Sequence, residues 1–151
     1  MQAQTAVREE SKFKTRFGEV KFDESKAIAF PNGILGMPNQ KKFFVSAFPD
    51  SKFESFQVLQ SLDDTEVSFA LIPLATLADA IDTNDLEEVR QVLEMDRNDM
   101  VTLLVVSIQR NPSGARLSVN LRAPLFIDSA NKVGYQIVLA NSKYPVQHYL
   151  G

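Results

Sequence analysis

The sequence predicts a mainly β chain: one compact domain of short antiparallel strands, closed as a barrel or stacked as a sandwich, with one or two short helices. Three observations point there. Apolar and polar residues alternate with period two in many short segments. Turn-forming residues separate those segments at close spacing. A helical spacing of apolar residues is clear in one stretch, which begins near Asn84.

The elements follow in chain order. Phe13, Thr15 and Phe17 alternate, and Val20 and Phe22 alternate out of phase with them. Gly18 stands at the slip, which predicts a bulge or a bend. Asp23-Glu24-Ser25 reads as a turn before a strand at 26–30, and Pro31-Asn32-Gly33 reads as another turn. Further strands are expected at 42–48, 53–59 and 67–72. A short helical turn fits 74–81. From Asn84 onward Leu86, Val89 and Leu93 recur at helical spacing, with Val92 adjoining. Asn84 can cap that helix, and Asp85, Glu87 and Glu88 suit its N-terminal dipole.

Residues 100–108 are apolar on both faces, as expected of a strand covered on both sides. Asn111-Pro112-Ser113-Gly114 turns that strand into 115–122. There Leu117, Val119 and Leu121 share a core face, while Arg116, Ser118, Asn120 and Arg122 are expected to be more exposed. Pro124 has no N–H to donate and interrupts the ladder. Short strands follow at 125–127 and 133–139 around a turn at 129–132.

Composition narrows the function. The chain has 151 residues, which fits one domain with a real core. With no cysteine, disulfides, zinc–thiolate sites and cysteine nucleophiles are excluded. Residues 1–12 lack the apolar stretch of a signal peptide and read as a mobile polar tail before a domain at 13–151. The expectation is a cytoplasmic protein with no membrane span.

The net charge of −3 hides an asymmetry. Between Asp63 and Asp99 eleven acids face only Arg90 and Arg97, so that segment carries −9 and the remainder +6. Such a block either is a well-solvated surface or favours a basic partner. It makes direct nucleic-acid binding unfavourable, because phosphate contacts need a concentrated basic face.

Catalytic groups are scarce. His148 is the one histidine, close to the chain end, and no G-x-S-x-G surrounds a serine. No enzyme activity is expected. Asp63, Asp64 and Glu66 read as a solvated or partner-facing loop, since a hard cation needs oxygens converging from separated positions. No metal and no cofactor are expected. Gly33 and Gly36 match no phosphate-loop spacing and read as turn glycines. Ile34 and Leu35 between them are either tucked under the barrel end or exposed as a contact spot. Asn120 either bonds a partner's backbone or satisfies main chain beside Pro124; the second reading is favoured.

Several segments in register resemble the FliW family. Thr15-Arg16-Phe17-Gly18-Glu19-Val20 is similar to its opening strand, and Phe30-Pro31-Asn32-Gly33-Ile34-Leu35-Gly36 to its F-P-x-G-I-x-G segment. Phe56-Gln57-Val58-Leu59-Gln60-Ser61-Leu62-Asp63-Asp64 resembles F-x-x-L-Q-S-x-D-D, and Val119-Asn120-Leu121-Arg122-Ala123-Pro124 resembles V-N-L-x-A-P. Gly134-Tyr135-Gln136 and the run from Tyr144 to Leu150 continue the match. Met37 departs from the aromatic usual at its position.

The resemblance implies a β-barrel-like domain and a non-enzymatic flagellar assembly factor. It implies binding to the RNA-binding translational regulator CsrA, which relieves repression of flagellin mRNA, and binding to flagellin. The expected partner-binding residues are Asp63, Asp64, Glu66, Asp85, Glu87, Glu88 and Asn120. A monomer is expected. The rival reading is a small oligonucleotide-binding β-barrel, which would need a basic groove bearing aromatics. A hydrolase of another type would need titratable groups converging in a pocket.

Overall fold

The structure is a computed structural model that describes residues 11–151. The tail expected at 1–12 lies outside the described residues except for Ser11 and Lys12, which already belong to the first strand.

Strands β1 (Ser11–Thr15) and β2 (Gly18–Phe22) form an antiparallel hairpin. The phase slip at Gly18 is therefore a reversal of the chain. Thr15 faces Gly18 across a two-residue loop, and Gly18 adopts φ +132° where a side chain would be strained.

A closed ring follows. β3 (Ile28–Ala29), β4 (Lys42–Ala47), β5 (Gln57–Ser61), β6 (Ser68–Pro73) and β7 (Met100–Asn111) pair in sequence. β9 (Leu125–Asp128) and β10 (Val133–Gln136) complete it, because β10 pairs with β3 and β9 returns to β7. These contacts are antiparallel except β3–β10, which is parallel. β7 serves two partners along one edge. Its residues Met100–Leu103 face β9, and Val106–Asn111 face β8 (Gly114–Val119). β11 (His148–Tyr149) adds to the far side of β8.

Two apolar clusters form on the two faces of the sheet. Inside the ring, Ile28, Phe43, Leu59, Leu71, Leu103, Leu125 and Ile127 meet Phe30 and Ile34. Outside, Ala70, Ile72, Leu104, Val106, Val119 and Phe126 are covered by α1 (Thr83–Leu93) through Leu86, Val89 and Leu93. Leu103 and Leu104 are neighbours in β7 and enter different clusters. That is why this strand reads as apolar on both faces. The β1–β2 hairpin covers another part of the outside, with Phe13 and Phe22 against Phe44.

Several boundaries differ from the sequence reading. Only Ile28–Ala29 of 26–30 is strand, since Lys26 ends a 3-10 turn that Asp23 caps. Likewise Phe53 ends a 3-10 turn, and the next strand starts at Gln57. Phe48, Phe53 and Phe56 gather there as an aromatic cluster. A 3-10 turn at Leu74–Thr76 takes part of 74–81. The helix cap is Asp82, and Asn84 lies inside the helix. β8 ends at Val119, where the chain turns toward Pro124.

Ser118 is buried, with 2% of its surface exposed. Strand alternation misses this because it does not foresee β11. Tyr149 stands opposite Ser118, and the Arg116 guanidinium stacks 3.5 Å from the Tyr149 ring centre on that face. Ile34 and Leu35 divide the two readings between them, Ile34 buried and Leu35 exposed. The Pro31–Asn32–Gly33 turn puts Gly33 at φ +69°, and a Cβ there would sit 2.6 Å from the Met37 carbonyl oxygen.

Candidate partner-binding surface

The β5–β6 loop carries Asp63, Asp64 and Glu66. Its form comes from polar residues beneath it. The Ser61 hydroxyl donates to Gln40 Oε1 at 2.5 Å and accepts from the N–H groups of Asp63 and Asp64 at 3.0 Å each. The buried Gln60 amide donates to the carbonyls of Ser61 and Thr65. The Gln-Ser-x-Asp-Asp run is thus a loop-building unit.

Asp63 belongs to that unit. Its carboxylate accepts from the N–H of Lys41 at 2.7 Å and of Lys42 at 3.0 Å. Those two bonds, foremost the one from Lys41, hold its pKa below the usual carboxylate range. Asp63 therefore ties this loop to the start of β4 and stays ionised. Asp64 accepts from the Glu66 N–H at 2.9 Å, an Asx turn. Asp64 and Glu66 are exposed on this anchored loop.

The acids of the helix are placed differently. Glu87 is half-buried and bonded to Arg90 and Arg97, which pull its pKa down to about 2. Arg90 also donates to the Met95 carbonyl at 2.8 Å, closing the end of the helix. Asp85 accepts from the Tyr144 hydroxyl at 2.5 Å. Asp82 pairs with Lys143 at 2.5 Å. Glu88 is exposed beside a shallow apolar groove of Val89, Val92, Leu93, Ile137, Val138 and Ala140. Val92 is 76% exposed and Val138 54%. Among the described residues, the Glu88 carboxylate has no hydrogen-bond or ion-pair partner.

The fold also divides the acidic block. The 63–66 loop precedes Ser68, and the helix follows Pro73 at the other end of β6. A strand of six residues separates its ends by roughly 20 Å. The two groups of acids thus sit on different elements, a loop before β6 and a helix after it.

Asn120 uses its side chain internally. Its Oδ1 accepts from the Ala123 N–H at 3.0 Å, beside the break at Pro124. Arg122 donates to the carbonyls of Tyr144 and Ser142, and the N–H groups of Leu121 and Arg122 both reach the Pro145 carbonyl. Val-Asn-Leu-Arg-Ala-Pro is therefore the clasp that holds the C-terminal segment. His148 is exposed on β11. Among the described residues, no three His, Asp or Glu side chains are grouped to hold a cation. The structural part of Tyr144 was not legible beforehand, because a tyrosine before a proline gives no hint of a partner some sixty positions away.

A family model described as FliW protein matches residues 12–150. The chain belongs to the FliW family. It is 35% identical over 135 residues to the flagellar assembly factor FliW of Syntrophus aciditrophicus (strain SB), covering 89% of this chain and 83% of that one. With the FliW of Bacillus pumilus (strain SAFR-032) it shares 33% identity over 134 residues, 88% and 90% of the two chains. The FliW of Thermotoga maritima is 31% identical over 144 residues, 91% of each. A crystal structure of the flagellar assembly factor FliW superposes with a TM-score of 0.70, covering 92% of this chain and 96% of that one at 24% identity. That likeness shows the fold of the family. Among the described residues no helix is long and apolar enough to cross a membrane.

Proposed function

We propose that this chain is a flagellar assembly factor that binds and antagonises a CsrA-type translational regulator and binds flagellin, so coupling flagellin synthesis to assembly. It acts in the cytoplasm by association, without turnover of a substrate. The family supports the role in flagellar assembly. The observation that carries the choice of a basic protein partner is the anchored loop that presents Asp64 and Glu66 to solvent. A loop held by Ser61, Gln60 and Asp63 loses little freedom when a partner docks. An RNA-binding regulator is basic where it meets phosphate, and long-range attraction to an acidic loop speeds encounter.

The roles of the seven expected residues separate on this reading. Asp64, Glu66 and Glu88 are the carboxylates available to a partner. Asp63, Asp85, Glu87 and Asn120 act by holding the surface that presents them. The test is binding kinetics with purified CsrA and flagellin from the source organism, at low and high salt. Tight, salt-sensitive CsrA binding that weakens in Asp64→Lys/Glu66→Lys supports the reading. A folded double variant with undiminished CsrA affinity returns the loop to plain solvated surface.

A further inference from the structure

Among the described residues, hairpin β1–β2 has no partner on the outer edge of β1. The two-residue loop makes Thr15–Gly18 a bonded pair, so Phe13–Val20 and Ser11–Phe22 are the next bonded pairs. The N–H and C=O groups of Lys12 and Lys14 then point away from β2. No described residue takes them. Further along the same edge, the Arg16 N–H reaches Ser68 Oγ at 3.5 Å, which places this edge beside the start of β6.

The space next to that edge is a groove of about 650 Å³, lined by Lys12, Lys14, Arg16, Thr65 and Glu66 among others. Arg16 is shared with a second groove of about 550 Å³ that includes Phe17, Phe69 and Arg110. Lys12 and Lys14 fall on one face of β1 by strand alternation, Arg16 follows in the loop, and all three are exposed, with Lys12 3.8 Å from the Glu19 carboxylate of β2. The single acid lining the two grooves is Glu66. The basic character is opposite to that of the acidic segment and is set on a strand whose outward main-chain groups take no partner among the described residues.

We infer that the outer edge of β1 is a docking site for an extended acidic segment of a partner protein, added as a strand beside Lys12 and Lys14. Main-chain bonds from the open edge supply the pairing, and the side chains supply the selection. Residues opposite one another in adjacent strands share a face. Acids at alternate positions of the incoming segment therefore meet Lys12 and Lys14, with Arg16 just past the end of the strand. The same charges repel a second copy of this strand, which disfavours edge-to-edge pairing between two copies of the chain. An oligonucleotide would satisfy the charges but leave the strand's N–H and C=O pattern without a matching partner. The groove borders the acidic loop through Glu66, yet the charges used here are the basic ones of the hairpin, so loss of peptide binding in Lys12→Glu/Lys14→Glu is distinguishable from loss of CsrA binding in Asp64→Lys/Glu66→Lys.

The test uses the full chain and a fluorescent peptide of alternating glutamate and valine, with binding read by anisotropy. A hexauridine RNA and the same peptide N-methylated at alternate residues are the comparisons. The expected result is salt-sensitive binding of the plain peptide, with Kd rising about tenfold or more in Lys12→Glu/Lys14→Glu. The peptide methylated in the register that faces β1 should not bind. The circular dichroism of the double variant should match the parent, and the methylated peptide tests strand addition on the unaltered protein. Failure of the plain peptide to bind, equal binding of both methylated registers and the plain peptide, or RNA binding as tight as the peptide's would each overturn the inference.

Discussion

The Tyr144 hydroxyl donates to the Asp85 carboxylate at 2.5 Å and accepts from the Asp82 N–H at 2.9 Å. A single phenol thus joins the C-terminal segment to the first turn of α1. Asp82 stands at the cap but its side chain makes no capping bond, so Tyr144 fills part of that office from far along the chain.

Removing the hydroxyl should loosen the helix start. Tyr144→Phe is expected to cost about 1–2 kcal/mol in urea unfolding, because a half-buried acceptor and donor lose their partner. Burial first, and the bond to Asp85 second, raise the Tyr144 pKa above its ordinary 10.0. A raised folded pKa gives stability that is whole below pH 10.0 and is lost as pH rises through the folded value. The parent should therefore lose more stability than Tyr144→Phe on the alkaline side. Hydrogen exchange at residues 82–86 would register the loosening directly.

Glu87 gives the opposite dependence. Its pKa falls from 4.5 to about 2 through Arg90 and then Arg97. The stability from these bonds is present above pH 4.5 and is lost as pH falls toward 2. Glu87→Gln should flatten the acid limb of a stability–pH profile in that window. A profile of unchanged shape would mean that the two arginines do not engage Glu87 in solution.

The two neighbours in β8 should differ in mechanism. Val119, 1% exposed, sits in the outer core, and Val119→Ala should cost about 2 kcal/mol through a cavity. Ser118 is buried and stands opposite Tyr149, whose ring stacks on Arg116. Ser118→Glu should cost about 2 kcal/mol or more, because it buries a charge there. A tolerant Ser118 would show that β11 does not close over β8.

Asp63 and Glu66 should separate structure from binding. Asp63→Ala removes the acceptor for two backbone N–H groups and should lower stability by about 1 kcal/mol. Glu66→Lys should leave thermal unfolding nearly unchanged while slowing CsrA association, with a difference that shrinks in high salt. Equal effects of both changes on stability would remove the distinction.

Much of the fold was legible because period-two alternation and turn chemistry are local. The hairpin at Asn111–Gly114, the turn after Asp128 and the two-faced strand β7 all follow from neighbouring residues. Misplaced boundaries have two causes. At 26 and 53 a 3-10 turn capped by Asp23 or Asp50 takes the start of the expected strand, and at 137–139 the alternation outruns the ladder. Ile137 and Leu139, for example, bond to the carbonyls of Pro124 and Arg122 rather than to a ladder.

The sequence by itself determined the strand-rich class, the family and the inventory of acids. It could name Asp63, Asp85, Glu87 and Asn120 as polar residues of interest, but not what they face. Only the tertiary structure decided that these four hold parts of the fold, Asp63 from an exposed position, while Asp64 bonds only within its own turn and Glu66 and Glu88 stay exposed. It also decided that β6 lies between the two parts of the acidic block and that, among the described residues, β1 has no partner on its outer edge. The physical reason is range. Propensity and periodicity act over a few residues, whereas Tyr144 meeting Asp85 and β9 returning to β7 depend on pairings set when the whole barrel closes.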